Sequence, residues 1–276
     1  MHTIEQALPK PDYAAVKMKQ NAAWTSGDYA KIGVTLQLVG EELAETMDLT
    51  AGDPVLDVAA GNGNATLAFA RRGGAVTSTD YVEALLMRGR DRADAEGLSI
   101  EFVVADAEAL PFDNDSFTAV VSTFGVMFTP NQPLAASELL RVVKPGGRIG
   151  LANWTPTSFI GALFSTLGLH VPPPPGVQSP ALWGSEDWLV RTFSPRTSKI
   201  GVVAKNYVFR YRSPEEFVDI FAAFYGPVHK AFLALDEAGQ GELRSDILDT
   251  IAAYNTAVDG CMRVPSEYLE VIMTKA

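Results

Sequence analysis

The 276-residue sequence predicts an α/β fold, a mostly parallel sheet with helices on both faces. Three observations carry this expectation. Strand-like and helix-like segments alternate over residues 52–153. A short apolar run, Val55 to Val58, leads straight into a glycine turn in "VLDVAAGNGNAT" (55–66). Aspartates stand at the ends of three successive strand-like segments, at Asp57, Asp80 and Asp106. Alternation of this kind implies right-handed crossovers between parallel strands. Ligands of such sheets bind at the carboxyl ends of the strands.

The elements can be justified in order. Residues 1–50 read as an N-terminal helical cap with a break at "TSGDY" (25–29). After the break, Val34, Leu38, Val39, Leu43 and Met47 recur at helical intervals. "PVLDVAA", "AVTSTD", "IEFVVAD", "FTAVVST" and "GRIGLANW" are strand-like, with "ATLAFARRG", "YVEALLMRGRDRADAEG" and "PLAASELLRVV" as helices between them. "VVKPGGRIGL" (142–151) ends a helix in a Pro-Gly-Gly turn and enters a buried strand. Residues 154–233 hold 14 of the 26 aromatics together with "PPPP" (172–175). One strand is expected there at about 199–211, and a last strand at 267–276. The core is therefore expected at 51–155 and 195–276, with aromatic-rich helical lid elements at 156–194 and 213–260.

Composition narrows the function. The net charge is −11, from 33 acidic and 22 basic residues, and the densest basic patch, "RGRDR" (88–92), is interrupted by Asp91. A nucleic-acid ligand would want a continuous basic face, so none is expected. No apolar run reaches membrane-spanning length, and the N-terminus lacks the apolar segment of a secretory signal. The lone Cys261 fits a reducing, cytoplasmic setting. A homodimer is compatible with all of this.

The glycine turn points to a nucleotide-like ligand. A dinucleotide fingerprint wants a third glycine where this chain has Thr66, and a phosphate-binding P-loop wants a lysine that is absent here. Asp57 would repel a phosphate but suits an ammonium or sulfonium group, which favours S-adenosylmethionine (SAM). Asp80, nineteen residues after Gly61, is placed to accept ribose hydroxyls, and Asp106 to take an adenine amino group. Each aspartate alone could be a turn former. Their joint placement favours a ligand site.

At this point the chain resembles the class I SAM-dependent methyltransferases, most nearly the ubiquinone and menaquinone biosynthesis branch. The matching stretches are "VLDVAAGNGNAT", "STDYVEALLMRGRDRA", "FVVADAEALPFDNDSFTAVVSTFGVMF" and "ELLRVVKPGGRI", in register over 52–153. The resemblance implies a Rossmann-like, seven-stranded class I methyltransferase fold with SAM as cofactor. It implies that Gly61 and Gly63 approach the methionine half, with Asp57 near its amino group and Ala59 and Ala60 where a glycine is usual. It further implies Asp80 at the ribose, Tyr81 beside the adenine, Asp106 and Ala107 on the adenine edge, and Thr123 and Phe124 near the reactive methyl.

The acceptor is expected to be a small, apolar or aromatic metabolite, methylated at oxygen, carbon or nitrogen. Trp24 and Tyr29 flank the break at 25–29, where the N-terminal helix could close over SAM. Tyr29, Phe128, Trp154 and Tyr225 are candidate acceptor contacts, because pockets lined by aromatics suit small organic molecules. Among His2, His170 and His229, the candidate general base is His170, beside the proline run, although a histidine there also suits a helix C-terminus. The Pro-Pro-aromatic signature of nucleic-acid amino-methyltransferases is absent, "STFG" (122–125) standing in its place, and Cys261 follows Gly260 rather than proline. No metal is expected. A SAM-binding sensor or scaffold without transferase activity is also compatible with these motifs. A nicotinamide-dependent oxidoreductase is disfavoured by Thr66, Asp106 and the Pro-Gly-Gly turn.

Overall fold

A computed structural model describes residues 11–276, so His2 lies outside the described residues. Seven strands form one sheet in the order β3-β2-β1-β4-β5-β7-β6. They are β1 (Pro54–Val58), β2 (Ala75–Asp80), β3 (Glu101–Val104), β4 (Phe117–Thr123), β5 (Val143–Trp154), β6 (Thr197–Tyr211) and β7 (Met262–Lys275). β1 runs parallel to β2, with Val55 opposite Val76, and to β4, with Val55 opposite Ala119. β7 alone runs against its neighbours, between β5 and β6. This is the expected Rossmann-like methyltransferase fold.

The central strands are buried on both faces, which is why β1 and β4 read as apolar runs rather than alternating ones. Helices α3 (Gln37–Met47) and α4 (Asn64–Arg71) close one face, where Leu43, Met47 and Phe69 pack with Val55, Val76 and Val121. On the other, α6 (Gln132–Val142) brings Ala136, Leu139 and Leu140 against Val120, Ile149 and Leu151. α5 (Glu83–Ala95) joins β2 to β3. Ahead of the sheet, α1 (Tyr13–Ser26) is capped by Asp12, and α2 (Ala30–Gly33) follows the break at Gly27–Tyr29.

Between β5 and β6 lie α7 (Phe159–His170), a short 3-10 turn (Pro180–Gly184) and α8 (Glu186–Phe193). Between β6 and β7 lie α9 (Pro214–Phe224), α10 (Gly226–Leu233) and α11 (Glu237–Tyr254). Two boundaries differ from the sequence expectation. β7 begins at Met262 rather than near 267, and Pro265 is tolerated because β7 pairs there with β6 only, β5 joining at Tyr268. The Pro-Gly-Gly segment lies inside the span of β5 as a bulge, marked by the register shift between Phe117 and Ala119 of β4.

Candidate active site

The strand order reverses between β1 and β4, and the site forms at the carboxyl ends of these strands, as open α/β sheets require. After β1, the chain turns through Gly61 (φ +58°) and Gly63 (φ +83°), both in the left-handed region that glycine enters freely. Ala59 (φ +53°) and Phe124 (φ +55°) occupy the same region without that freedom. They stand at the ends of the two strands that flank the switch point. A Cβ on Gly125 would lie 1.9 Å from the carbonyl oxygen of Ala59, so only glycine permits this approach.

Asp57 sits beneath the turn, 1% exposed. Its Oδ2 accepts from the Thr66 backbone N–H (2.8 Å) and hydroxyl (2.6 Å), and the Thr66 hydroxyl also meets Ser78 Oγ at 2.9 Å. Thr66, the residue in the third-glycine position, is thus the partner that orients the acid. Oδ1 of Asp57 is buried and has no partner among the described residues. Burial pushes the Asp57 carboxyl up to about 7, opposed by the Thr66 bonds and aided by the charge of Asp80. Asp80, also buried, accepts from the N–H groups of Gly61 (2.9 Å) and Val82 (2.8 Å). Burial lifts it to about 6 against the pull of those bonds.

These elements enclose a cavity of about 830 Å³, counted out to its open mouth. Eleven of the residues singled out from sequence line it: Trp24, Tyr29, Ala59, Gly61, Asp80, Tyr81, Asp106, Ala107, Thr123, Phe124 and Phe128. Gly63 and Asp57 are not on its walls; one shapes the turn and caps α4, and the other lies under it. A second hollow of about 310 Å³ shares Tyr29, Leu36, Phe124 and Phe128 with the first. Its remaining walls are Ile32, Trp154, Ile160, Phe209, Phe221 and Tyr225. Trp154 and Tyr225 therefore belong to this inner space.

His170 is not among the walls of either hollow. It ends α7, and its Nε2 lies 2.7 Å from Asp246 Oδ2 on α11, so the imidazole is committed to a helix–helix contact. The histidine expected as a base at 170 thus stands away from both hollows. His229 is likewise engaged, its Nδ1 lying 2.7 Å from the Ala222 carbonyl oxygen.

Sequence reasoning missed the inner face of α1. Lys17 Nζ contacts Asp106 Oδ2 (2.6 Å) and Glu108 Oε2 (3.0 Å). Gln20 Nε2 donates to the Phe128 carbonyl (3.0 Å) and Asn21 Nδ2 to the Tyr81 carbonyl (2.8 Å). Lys17, Gln20, Asn21 and Trp24 follow the i, i+3, i+4, i+7 spacing of one helical face, a signal that was available. Asn62 and Asn64 also line the cavity, Asn64 Nδ2 donating to the Gly33 carbonyl at 2.6 Å. Among the described residues no cluster of His, Cys, Asp and Glu is arranged to hold a metal, and no helix is long and apolar enough to cross a membrane.

The residues present fit SAM. Asp80, a buried acid at the end of β2, lines the cavity and can meet a diol, and the left-handed turn at Gly61 lets backbone rather than side chain face the ligand. This fold and this cavity define a class I SAM-dependent methyltransferase. Residues 55–147 match the methyltransferase domain family. The uncharacterised protein Rv1403c of Mycobacterium tuberculosis (strain ATCC 25618 / H37Rv) is 38% identical over 258 residues, covering 92% of this chain and 94% of its own. The demethylmenaquinone methyltransferase of Clavibacter sepedonicus is 44% identical over 105 residues, only 38% of this chain and 42% of that one. The crystal structure of the YcgJ protein from Bacillus subtilis superposes with a TM-score of 0.60 at 18% identity, over 86% of this chain and 97% of that one, a likeness of fold. The chain belongs to the same family as the mycobacterial protein, and within it residues 55–147 match a methyltransferase domain.

Proposed function

We propose that this methyltransferase acts on a small, apolar or aromatic metabolite, at oxygen, carbon or nitrogen, by in-line displacement. One observation carries the reading: the aromatic inner hollow lies against the cofactor cavity and shares the walls Tyr29, Leu36, Phe124 and Phe128 with it. Aromatic walls next to the cofactor cavity suit a small organic acceptor. The charge of −11 argues against a nucleic-acid acceptor.

When bound, SAM supplies a methyl group activated by a sulfonium. The protein's residues then bind and orient. In this reading Asp57 and the Gly61 turn hold the methionine end, and Asp80 takes the ribose hydroxyls. Tyr81, Asp106 and Ala107 hold the adenine, while Thr123 and Phe124 wall the reactive end. The N-terminal helices act as a cap, and segments 156–194 and 213–260 as lid elements around the acceptor. Positioning of two reactants accounts for up to about 7–11 kcal/mol of a barrier. No histidine lines either hollow, so neither places an imidazole base beside the acceptor.

The test is a screen of phenols, quinols and amines with labelled SAM, reading which compound gains mass. Transfer to none of them, with SAM bound, would sink the small-aromatic reading.

A further inference from the structure

The glycine turn has a front on the cavity and a back on α5, and a cation holds the back. Arg92 of α5, half-buried, donates from Nη1 to the Asn62 carbonyl oxygen (2.7 Å) and to Asn64 Oδ1 (2.9 Å). Its Nη2 donates to Gln37 Oε1 (3.1 Å) at the start of α3. All three acceptors are uncharged amide oxygens. Arg92 makes no ion pair among the described residues, whereas Arg71, Arg72 and Arg141 each do. Glu96, which acts on its charge, is itself paired with Arg71. A partly buried cation without a counter-charge is costly, so this one calls for an explanation.

Asn62 supplies it. The residue is 2% exposed and forms part of the cofactor cavity wall. The Gly61 N–H is taken by Asp80 and the Gly63 N–H by the Ala60 carbonyl (2.9 Å), but the Asn62 N–H has no acceptor among the described residues. Its side-chain Nδ2 is buried and also lacks a partner there. The side chain lies against α2, where a Cβ on Gly33 would come within 2.2 Å of Asn62 Oδ1. With its carbonyl drawn back to Arg92, the Asn62 backbone keeps only a donor to offer a ligand. Unpaired buried N–H groups on a cavity wall fit an anionic oxygen.

We propose that Arg92 is a positioning residue: by holding the Asn62 carbonyl against α5, it presents the Asn62 N–H groups to the carboxylate at the amino-acid end of the cofactor. Its uncompensated charge adds a positive potential behind the turn, favourable to that carboxylate. The proposal rests on the reading that the Gly61 turn holds the methionine end.

The experiment compares S-adenosylhomocysteine with its decarboxylated analogue, which keeps the ammonium and the adenosine and lacks the carboxylate alone. Titration calorimetry reads both affinities. The wild-type protein is expected to prefer the carboxylate-bearing ligand by about ten-fold or more, the worth of a charged hydrogen bond. Arg92→Met is expected to reduce the preference to about three-fold, with the decarboxylated analogue bound as by the wild type. Asn62→Asp sets a second acid against the carboxylate and is expected to abolish the preference. Equal binding of the two ligands by the wild-type protein would overturn the proposal, as would an unchanged preference in either variant. A loss in Arg92→Met shared equally by both ligands would also overturn it, because a merely structural role gives that result. Circular dichroism checks the fold, and should Arg92→Met not fold, the ratio in Asn62→Asp decides alone. Binding of neither ligand to the wild-type protein would instead count against the cofactor cavity itself, and the proposal falls with it.

Discussion

Lys17 of α1 places its ammonium 2.6 Å from Asp106 and 3.0 Å from Glu108, so a cation on the first helix sits on two carboxylates beyond the end of β3. Asp106 Oδ1 accepts from the Glu108 N–H, and Glu108 Oε1 accepts from the N–H of Asn131, at the start of α6. The first helix, the Asp106 side of the cavity and the start of α6 are thereby tied through one cluster. Lys17→Met leaves two acids facing each other with no cation between them. The expected outcome is a stability loss of about 1 kcal/mol and a several-fold weaker SAM affinity, because α1 is no longer held over the cavity. Calorimetric titration with SAM, beside a denaturant midpoint, measures both. Unchanged affinity would reduce Lys17 to a structural ion pair.

Asp80 accepts two backbone N–H groups and still faces the cavity. Asp80→Asn is expected to weaken SAM binding by about 1.5–3 kcal/mol, the range for losing a charged hydrogen-bonded partner. Titration calorimetry gives the number, and wild-type affinity would make Asp80 a turn residue only.

Burial lifts Asp57 to about 7 and Asp80 to about 6, from ordinary carboxyl values near 4. Between those limits the folded chain keeps protons that the unfolded chain has released. Their stabilising effect is therefore complete below about pH 4 and is lost as pH rises toward 7. Urea midpoints of the ligand-free protein should fall across that window, and Asp57→Asn should flatten the upper part of the decline. A wild-type midpoint that climbs from pH 5 to 7, with no difference in the variant, would contradict this.

Ala59 holds a left-handed conformation that costs a non-glycine residue roughly 1–2 kcal/mol. Ala59→Gly relieves that strain while loosening the unfolded chain, so a net gain of up to about 1 kcal/mol is expected. A thermal melt decides it, and a clear loss of stability would show that the methyl group of Ala59 packs usefully against the turn.

His170→Asn removes the bond to Asp246 but nothing from the walls of either hollow. Turnover should stay near wild type, with stability lower by about 1 kcal/mol or less. A large drop in rate at unchanged SAM affinity would restore a catalytic role.

The donor end of the site was legible because its signals are local. Strand, turn and acid lie within a dozen residues of one another, and the parallel fold brings successive strand ends to one edge. The face of α1 was not, because its partners are far along the chain: Lys17 is 89 residues from Asp106, and Gln20 is 108 from Phe128. His170 misled for the same reason. A titratable residue beside a proline run looks available until α11 is seen to supply Asp246 from 76 residues away. Thr66 was read only as a missing glycine, whereas its hydroxyl has a positive task in holding Asp57. Pro265 hid the first five residues of β7, because one proline weakens a strand signal wherever it falls.

That proline also bears on how copies of the chain behave in concentrated solution. Over Met262–Ser266, β7 has β6 on one side and, among the described residues, no strand on the other, the kind of open edge on which foreign strands nucleate aggregates. Pro265 contributes no donor there, and the first turn of α7 already occupies Ser266, whose hydroxyl accepts from the Ile160 N–H at 3.2 Å. The short open edge is thus closed to templated strand addition by its own composition, whatever the overall charge of the surface.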